Sequence, residues 1–122
     1  MSAVAPSAYG AMRIVVGVLF MFHGLQKVFG LFGGREVQLL SLPGAAGLIE
    51  LVGGALIAVG LLTSPVAFLA SGEMAFAYFL SHYPRGGWPI QNGGELSAIY
   101  CFVFLYISTR GGGRLSIDSM RR

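Results

Sequence analysis

Charge is scarce in this chain. Of its 122 residues, 8 are Lys or Arg and 5 are Asp or Glu, 11% in all, whereas about a quarter of an average soluble domain is charged. Too few polar side chains remain to cover a water-facing surface, so a soluble globular domain is excluded. The net charge of +3 is small and scattered along the chain. That excludes a nucleic-acid-binding surface and fits the basic flanks of a membrane protein. Cysteine is nearly absent too. The lone thiol of Cys101 can form neither an intrachain disulfide nor a Cys-x-x-Cys pair, so dithiol chemistry within the chain is excluded. Cys101 is expected to be an inert, buried small residue. One thiol and two histidines are too few for a structural zinc site, and no metal is expected.

What is abundant is apolar: 55% of the residues are hydrophobic. They come in four runs, each near the roughly 20 residues that cross a bilayer as a helix. The first span runs from about Tyr9 to Phe29. A cleaved signal peptide would compete for this stretch, but His23 and Lys27 follow its apolar core and no small-x-small site appears there. Gly30 ends this helix, and a loop with Arg35 and Glu36 leads to Pro43. The second span is expected over Ala45 to Leu62 and the third over Pro65 to Ser81, joined by a tight Thr63-Ser64-Pro65 turn. The stretch from Tyr83 to Gly94 is too rich in Gly and Pro to predict a helix. The fourth span, short and aromatic, covers Gly94 to Thr109, and a polar tail from Arg114 to Arg122 is expected to fray. The fold class is therefore all-α: a single transmembrane four-helix bundle.

Four spans place both termini on one side. The C-terminal flank carries Arg110, Arg114, Arg121 and Arg122, while the two long loops hold Arg35 and Arg85. The positive-inside rule puts the termini in the cytoplasm, here of a bacterial inner membrane, and the loops outside. Tyr9, Tyr83 and Trp88 fit interfacial belts, and Arg13 can snorkel from the cytoplasmic end of the first span.

The informative residues are the polar ones within these runs, because each charge near the bilayer centre costs roughly 2.5 to 3.5 kcal/mol. His23 and Lys27 share one face of the first span. At about 1.5 Å per residue, His23 lies some 9–10 Å below the outer end of its helix, and Glu50 about 8 Å below the outer end of the antiparallel second span. Lys27 and Glu95 both lie near the outer surface. This predicts a polar pocket open to the outer half, built from His23, Lys27, Glu50 and Glu95, with Glu73 beneath it near the midplane. His82, nine residues from Glu73, falls on the opposite face of the third span. The pocket is a quinone or proton site, or else a set of interhelical salt bridges that fix packing. No catalytic residue is assigned. Gly53, Gly54, Ala58 and Gly60 form a small-residue surface for close helix packing. The aromatics, among them Phe20, Phe22, Phe76 and Tyr100, are core or lipid-facing, and some could wall a quinone pocket.

Several of these residues also form a pattern: Arg13, then Phe22-His23-Gly24-x-x-Lys27, Phe32-Gly33-Gly34, Pro43 and Gly47-x-x-Glu50-x-x-Gly53-Gly54, followed by Gly60, Met74 and Asn92-Gly93-Gly94-Glu95. It resembles the DoxX family of bacterial membrane proteins across nearly the whole chain. The resemblance implies a four-helix membrane bundle, with His23, Lys27, Glu50 and Glu95 as its polar positions. The family takes its name from a subunit type in a thiosulfate:quinone oxidoreductase, and other members associate with redox or stress-response systems. Nothing in this sequence identifies thiosulfate as a substrate. Three functions follow as expectations. The first is a quinone-interacting subunit of a membrane oxidoreductase, drawing electrons from a membrane redox partner. The second is a non-catalytic accessory subunit packing through the second span's glycine face. The third is a small-solute or proton pathway, which a homo-oligomer could complete.

Overall fold

The computed structural model describes residues 3–33, 38 and 40–121, and these are helical, with no strand among them. The loop residues Gly34, Arg35 and Glu36 and the terminal Arg122 lie outside the described residues. Helix α1 spans Ala5–Phe29, α2 Leu42–Val59 and α3 Thr63–Ala77. A π-helical segment, Tyr78–His82, and a 3₁₀ turn, Tyr83–Arg85, continue α3. A one-turn helix α4, Pro89–Asn92, precedes α5, Glu95–Arg110, and a last turn, α6, covers Ile117–Met120. Helices α1 and α2 are long and apolar enough to cross a membrane. Helices α3 and α5 have 15 and 16 residues, and α3 gains length from the π segment. Many large apolar side chains point outward, including Val15, Val52, Phe68, Phe79, Ile99 and Phe102. Such a surface suits lipid rather than water.

Helix boundaries follow local chemistry. Pro6 sits in the first turn of α1 and Pro43 in that of α2, where the missing N–H is not needed. Ser41 caps α2 by accepting from the Gly44 N–H, so the helix begins three residues before the expected Ala45. It stops at Gly60, which adopts a left-handed conformation (φ 73°). The turn is therefore Gly60–Leu62, and Thr63 to Pro65, expected as the turn, are already helical. The Tyr83–Gly94 stretch is not purely irregular either, because Pro89 starts the short helix α4.

The tightest contact is between α1 and the antiparallel α2. A Cβ added at Gly24 would lie 2.3 Å from the Leu51 nitrogen, and one at Gly54 would lie 2.4 Å from the Met21 nitrogen. Only glycine permits this backbone approach. Helix α3 packs chiefly on α5. Between the two pairs lies a small apolar core of Phe20, Ile57, Ala67, Ala70, Met74, Tyr100, Phe104 and Ile107. The Phe20 ring lies 4.6 Å from Phe104 and 5.4 Å from Tyr100, which joins α1 to α5 through aromatic rings rather than backbone.

The C-terminal tail is not frayed. Residues 111–121 fold back over the ends of α1, α2 and α3. The Asp118 N–H donates to the Gly60 carbonyl at 2.8 Å. Its carboxylate accepts from the Leu62 N–H, the Thr63 N–H and Thr63 Oγ1 at 2.7–2.9 Å. The tail thereby caps α3, whose own N-cap, Leu62, is held at φ 53° and offers no capping side chain.

Arg13 does not snorkel. It is fully buried, because its guanidinium is the hub of this closure. Nε donates to Gly112 O, Nη1 to Ile57 O and Ala58 O, and Nη2 to Leu115 O and Arg114 O. Every N–H of the side chain is used, and every partner is a backbone carbonyl, two of them in the last turn of α2, where the helix dipole favours a cation.

Candidate functional site

At the opposite end of the bundle, where the loops are, the polar residues are held differently. Lys27, in the last turn of α1, reaches across to α2, and its Nζ meets Glu50 Oε2 at 2.7 Å. Glu50 is 1% exposed, while the lysine side chain keeps 36% exposure. This contact depends on close helix packing, since a Cβ on Gly47 would lie 2.9 Å from Lys27 Cβ. Glu73 approaches from α3, with its carboxyl in hydrogen-bonding reach of Glu50. Glu50 Oε1 and Glu73 Oε1 are both buried with no hydrogen-bond donor facing them among the described residues.

Two cavities flank this cluster. One is a groove of about 550 Å³ between α2 and α3. Its walls are apolar, with Leu42, Ile49, Phe68, Leu69, Phe76 and Leu80 among them, and its charged members are Lys27 and Glu73. The other, of about 260 Å³, lies between α1, α2, α3 and α5. It is bordered by His23, Lys27 and Glu50, by Ser81 and His82 at the end of α3, and by Ser97 and Tyr100 on α5. The His23 ring stands edge-on to Tyr100 at 6.0 Å.

The structure brings His23, Lys27 and Glu50 to one cavity, and sets Glu73 and Glu95 apart from it. Glu95 is exposed in the first turn of α5 and borders neither cavity. Glu73 lines the α2–α3 groove rather than the polar cavity. His82, which was set apart from Glu73, borders the polar cavity together with His23 and Glu50. Its Nδ1 also lies 3.3 Å from the Asn92 carbonyl.

The small residues divide between partners. Gly54 and Ala58 face α1, Gly53 faces Val66 on α3, and Gly60 meets Ser116 and Arg13. On α1, Gly17 and Gly24 face α2 and Gly10 meets the tail at Arg114. The three recur every seven residues, a spacing that keeps them on one face of the helix and could have identified them. Cys101 is half-buried, and its carbonyl accepts from Ser71 Oγ at 2.7 Å. Among the described residues, no cluster of three or more His, Cys, Asp or Glu could hold a metal ion.

A helical fold with an apolar exterior, two membrane-length helices and a Lys–Glu–Glu cluster with buried carboxyl oxygens beside two cavities fits a small membrane protein that keeps polar groups inside. The model of the DoxX family matches residues 9–83, well over half of the chain, and the chain belongs to that family. A protein of Haemophilus influenzae described as an uncharacterized protein is 39% identical over 115 residues, covering 88% of this chain and 86% of that one. No solved structure matches.

Proposed function

We propose that the chain is a four-span membrane protein that seats the head group of a lipid-soluble quinone in the α2–α3 groove, as a quinone-interacting subunit of a membrane oxidoreductase system. The observation that carries this reading is the groove's composition: apolar walls with a carboxyl and an ammonium, Glu73 and Lys27, at their edge. Its volume of about 550 Å³ falls within the roughly 300–1,000 Å³ of small-molecule sites, which are largely apolar with a few placed polar groups. A quinone needs both features. Its ring and isoprenoid tail are as apolar as the walls, and its two carbonyl oxygens take up protons when the ring is reduced. Lys27 donates to one such oxygen, and Glu73 exchanges a proton with it. The quinone supplies the electron chemistry when bound, and electrons reach it from a membrane redox partner. The termini face the cytoplasm of a bacterial inner membrane, with Arg110, Arg114 and Arg121 on that side.

An accessory role loses its main support, because the small-residue face of α2 is already occupied by α1 within the chain.

The test is the quinone content of gently purified protein, by solvent extraction and mass spectrometry. Near-stoichiometric quinone in the wild type that falls severalfold in Glu73→Gln is expected. Quinone at the level of bulk lipid in both would overturn the reading and direct the search toward a protein partner.

A further inference from the structure

The Lys27–Glu50–Glu73 cluster is short of one hydrogen. Lys27 satisfies Glu50 Oε2. The carboxyls of Glu50 and Glu73 lie within reach of each other, yet each keeps a buried Oε1 with no donor. Ionised carboxylates only accept hydrogen bonds, and two of them beside one ammonium leave a net negative charge away from water. One proton held between the two carboxyls removes both faults. It supplies the missing donor, and it leaves one carboxylate balanced by Lys27. Such a pair holds its proton jointly.

The pair also stands in a wall. Glu73 borders the α2–α3 groove, Glu50 borders the polar cavity, and Lys27 borders both. The polar cavity offers partners from every helix around it: His23 and Lys27 from α1, Glu50 from α2, Ser81 and His82 from the end of α3, and Ser97 and Tyr100 from α5. At about 260 Å³ it has room for several waters, each of which needs about 30 Å³ and two to four polar partners. The groove, by contrast, is lined by hydrocarbon.

We infer that the polar cavity is a water-filled proton inlet and that Glu50 and Glu73 pass single protons from it to a ligand in the groove. Glu73 gives the shared proton to the ligand oxygen, which leaves both carboxyls ionised. Glu50 then takes one proton that enters from the aqueous phase along the cavity waters, the pair shares it again, and no electron moves in these steps. His23 and His82, at the mouth of the inlet, and Tyr100, on its wall, set the field around Glu50. The inference rests on the quinone reading only for the final proton acceptor. The shared proton and the inlet are properties of the ligand-free protein.

Infrared spectroscopy of the full chain, purified in detergent and washed free of quinone, tests it. At neutral pH the wild type is expected to show a protonated-carboxyl band that is lost in both Glu50→Gln and Glu73→Gln, because the shared proton needs both partners. Should one variant fail to fold, the other decides alone. In heavy water the band shifts as it exchanges. Ser97→Leu, which fills the inlet, is expected to slow that shift severalfold without removing the band, and Ser97→Phe repeats the test with a different plug. A wild type without the band, or a band that survives either Gln variant, overturns the shared proton. Exchange at the wild-type rate in both plugged variants overturns the inlet. If gently purified protein carries no quinone yet the washed protein shows the band, the quinone reading alone is defeated. If gently purified protein carries quinone yet the washed protein lacks the band, this inference alone is defeated.

Discussion

Arg13 and Glu50 are both charged, both on membrane-length helices and both essentially unexposed, at 0% and 1%, yet they are built to opposite specifications. Arg13 places all five of its N–H groups on backbone carbonyls contributed by α2 and the C-terminal tail. Glycines pack around it, and a Cβ at Gly60 would lie 3.0 Å from its Nη1. Glu50 has one oxygen on Lys27 and one on no donor, and it opens onto a cavity. A buried charge with every valence filled fixes structure. A buried charge left half-filled beside an open space can exchange a proton or meet a ligand. The two ends of the bundle thus divide the work, the end with the termini closing it and the end with the loops keeping it polar and accessible.

The largest effect that can break this comparison belongs to Arg13. Arg13→Ala removes five hydrogen bonds at the junction of α1, α2 and the tail. A hydrogen bond to a charged group contributes about 1.5–3 kcal/mol, so losing five together is expected to cost several kcal/mol. Arg13→Lys, with three donors in place of five, falls between the two. Unfolding in detergent, followed by denaturant titration, measures both. An Arg13→Ala protein as stable as wild type would mean that the closure is not what holds this end together.

Much of the fold is legible in the sequence, and the exceptions share a cause. Hydropathy and the placement of Gly30 give four helices close to their observed positions, because burial and backbone conformation are local properties, whereas Gly60, read as a packing residue within a span to Leu62, ends α2. Helix rise brings Lys27 and Glu50 into one pocket but matches Glu50 in depth to His23 and Lys27 to Glu95. The ion pair instead joins Lys27 to Glu50, because the long lysine side chain reaches across from its own turn. Arg13 and Asp118 were not legible as structural residues, because their partners lie 44 to 102 residues away for Arg13 and 55 to 58 for Asp118. No local pattern signals that a polar tail will return to cap a distant helix. Glu95 misled for a related reason: depth along a helix is set by sequence position, but the face on which a side chain emerges depends on how α5 packs against α3.

A smaller effect separates the tail from the arginine it covers. Asp118 is the cap of α3, and replacing a capping side chain costs about 1 kcal/mol, so Asp118→Ala should lose about that much. The cap is also sensitive to pH. Burial alone would raise the Asp118 carboxyl, but hydrogen bonds from the Thr63 N–H, Thr63 Oγ1 and the Leu62 N–H, with Arg121 nearby, outweigh it and hold the group below its ordinary value of 3.8. A carboxyl lowered by folding stabilises the protein fully above that ordinary value, and the contribution is lost as pH falls through the lower, folded-state value. Wild type should therefore lose its advantage over Asp118→Ala in strong acid. An advantage that persists there would mean that the aspartate acts by packing rather than by charge.

The smallest change in stability is expected where the sequence looks most costly. Removing Glu50 alone strands Lys27, but that side chain is partly exposed and can turn toward the loop end, so the loss should be well below that of Arg13→Ala. Removing both charges in Lys27→Met/Glu50→Leu replaces a desolvated ion pair with apolar groups of similar volume, a change that is often neutral or stabilising. The double variant should melt within a few degrees of wild type while losing its co-purified quinone. Arg13 has no comparable rescue, because its partners are backbone carbonyls that no second substitution can remove. If the double variant instead unfolds as readily as Arg13→Ala, the two buried charges do the same job, and the polar end of the bundle is a second clasp rather than a site.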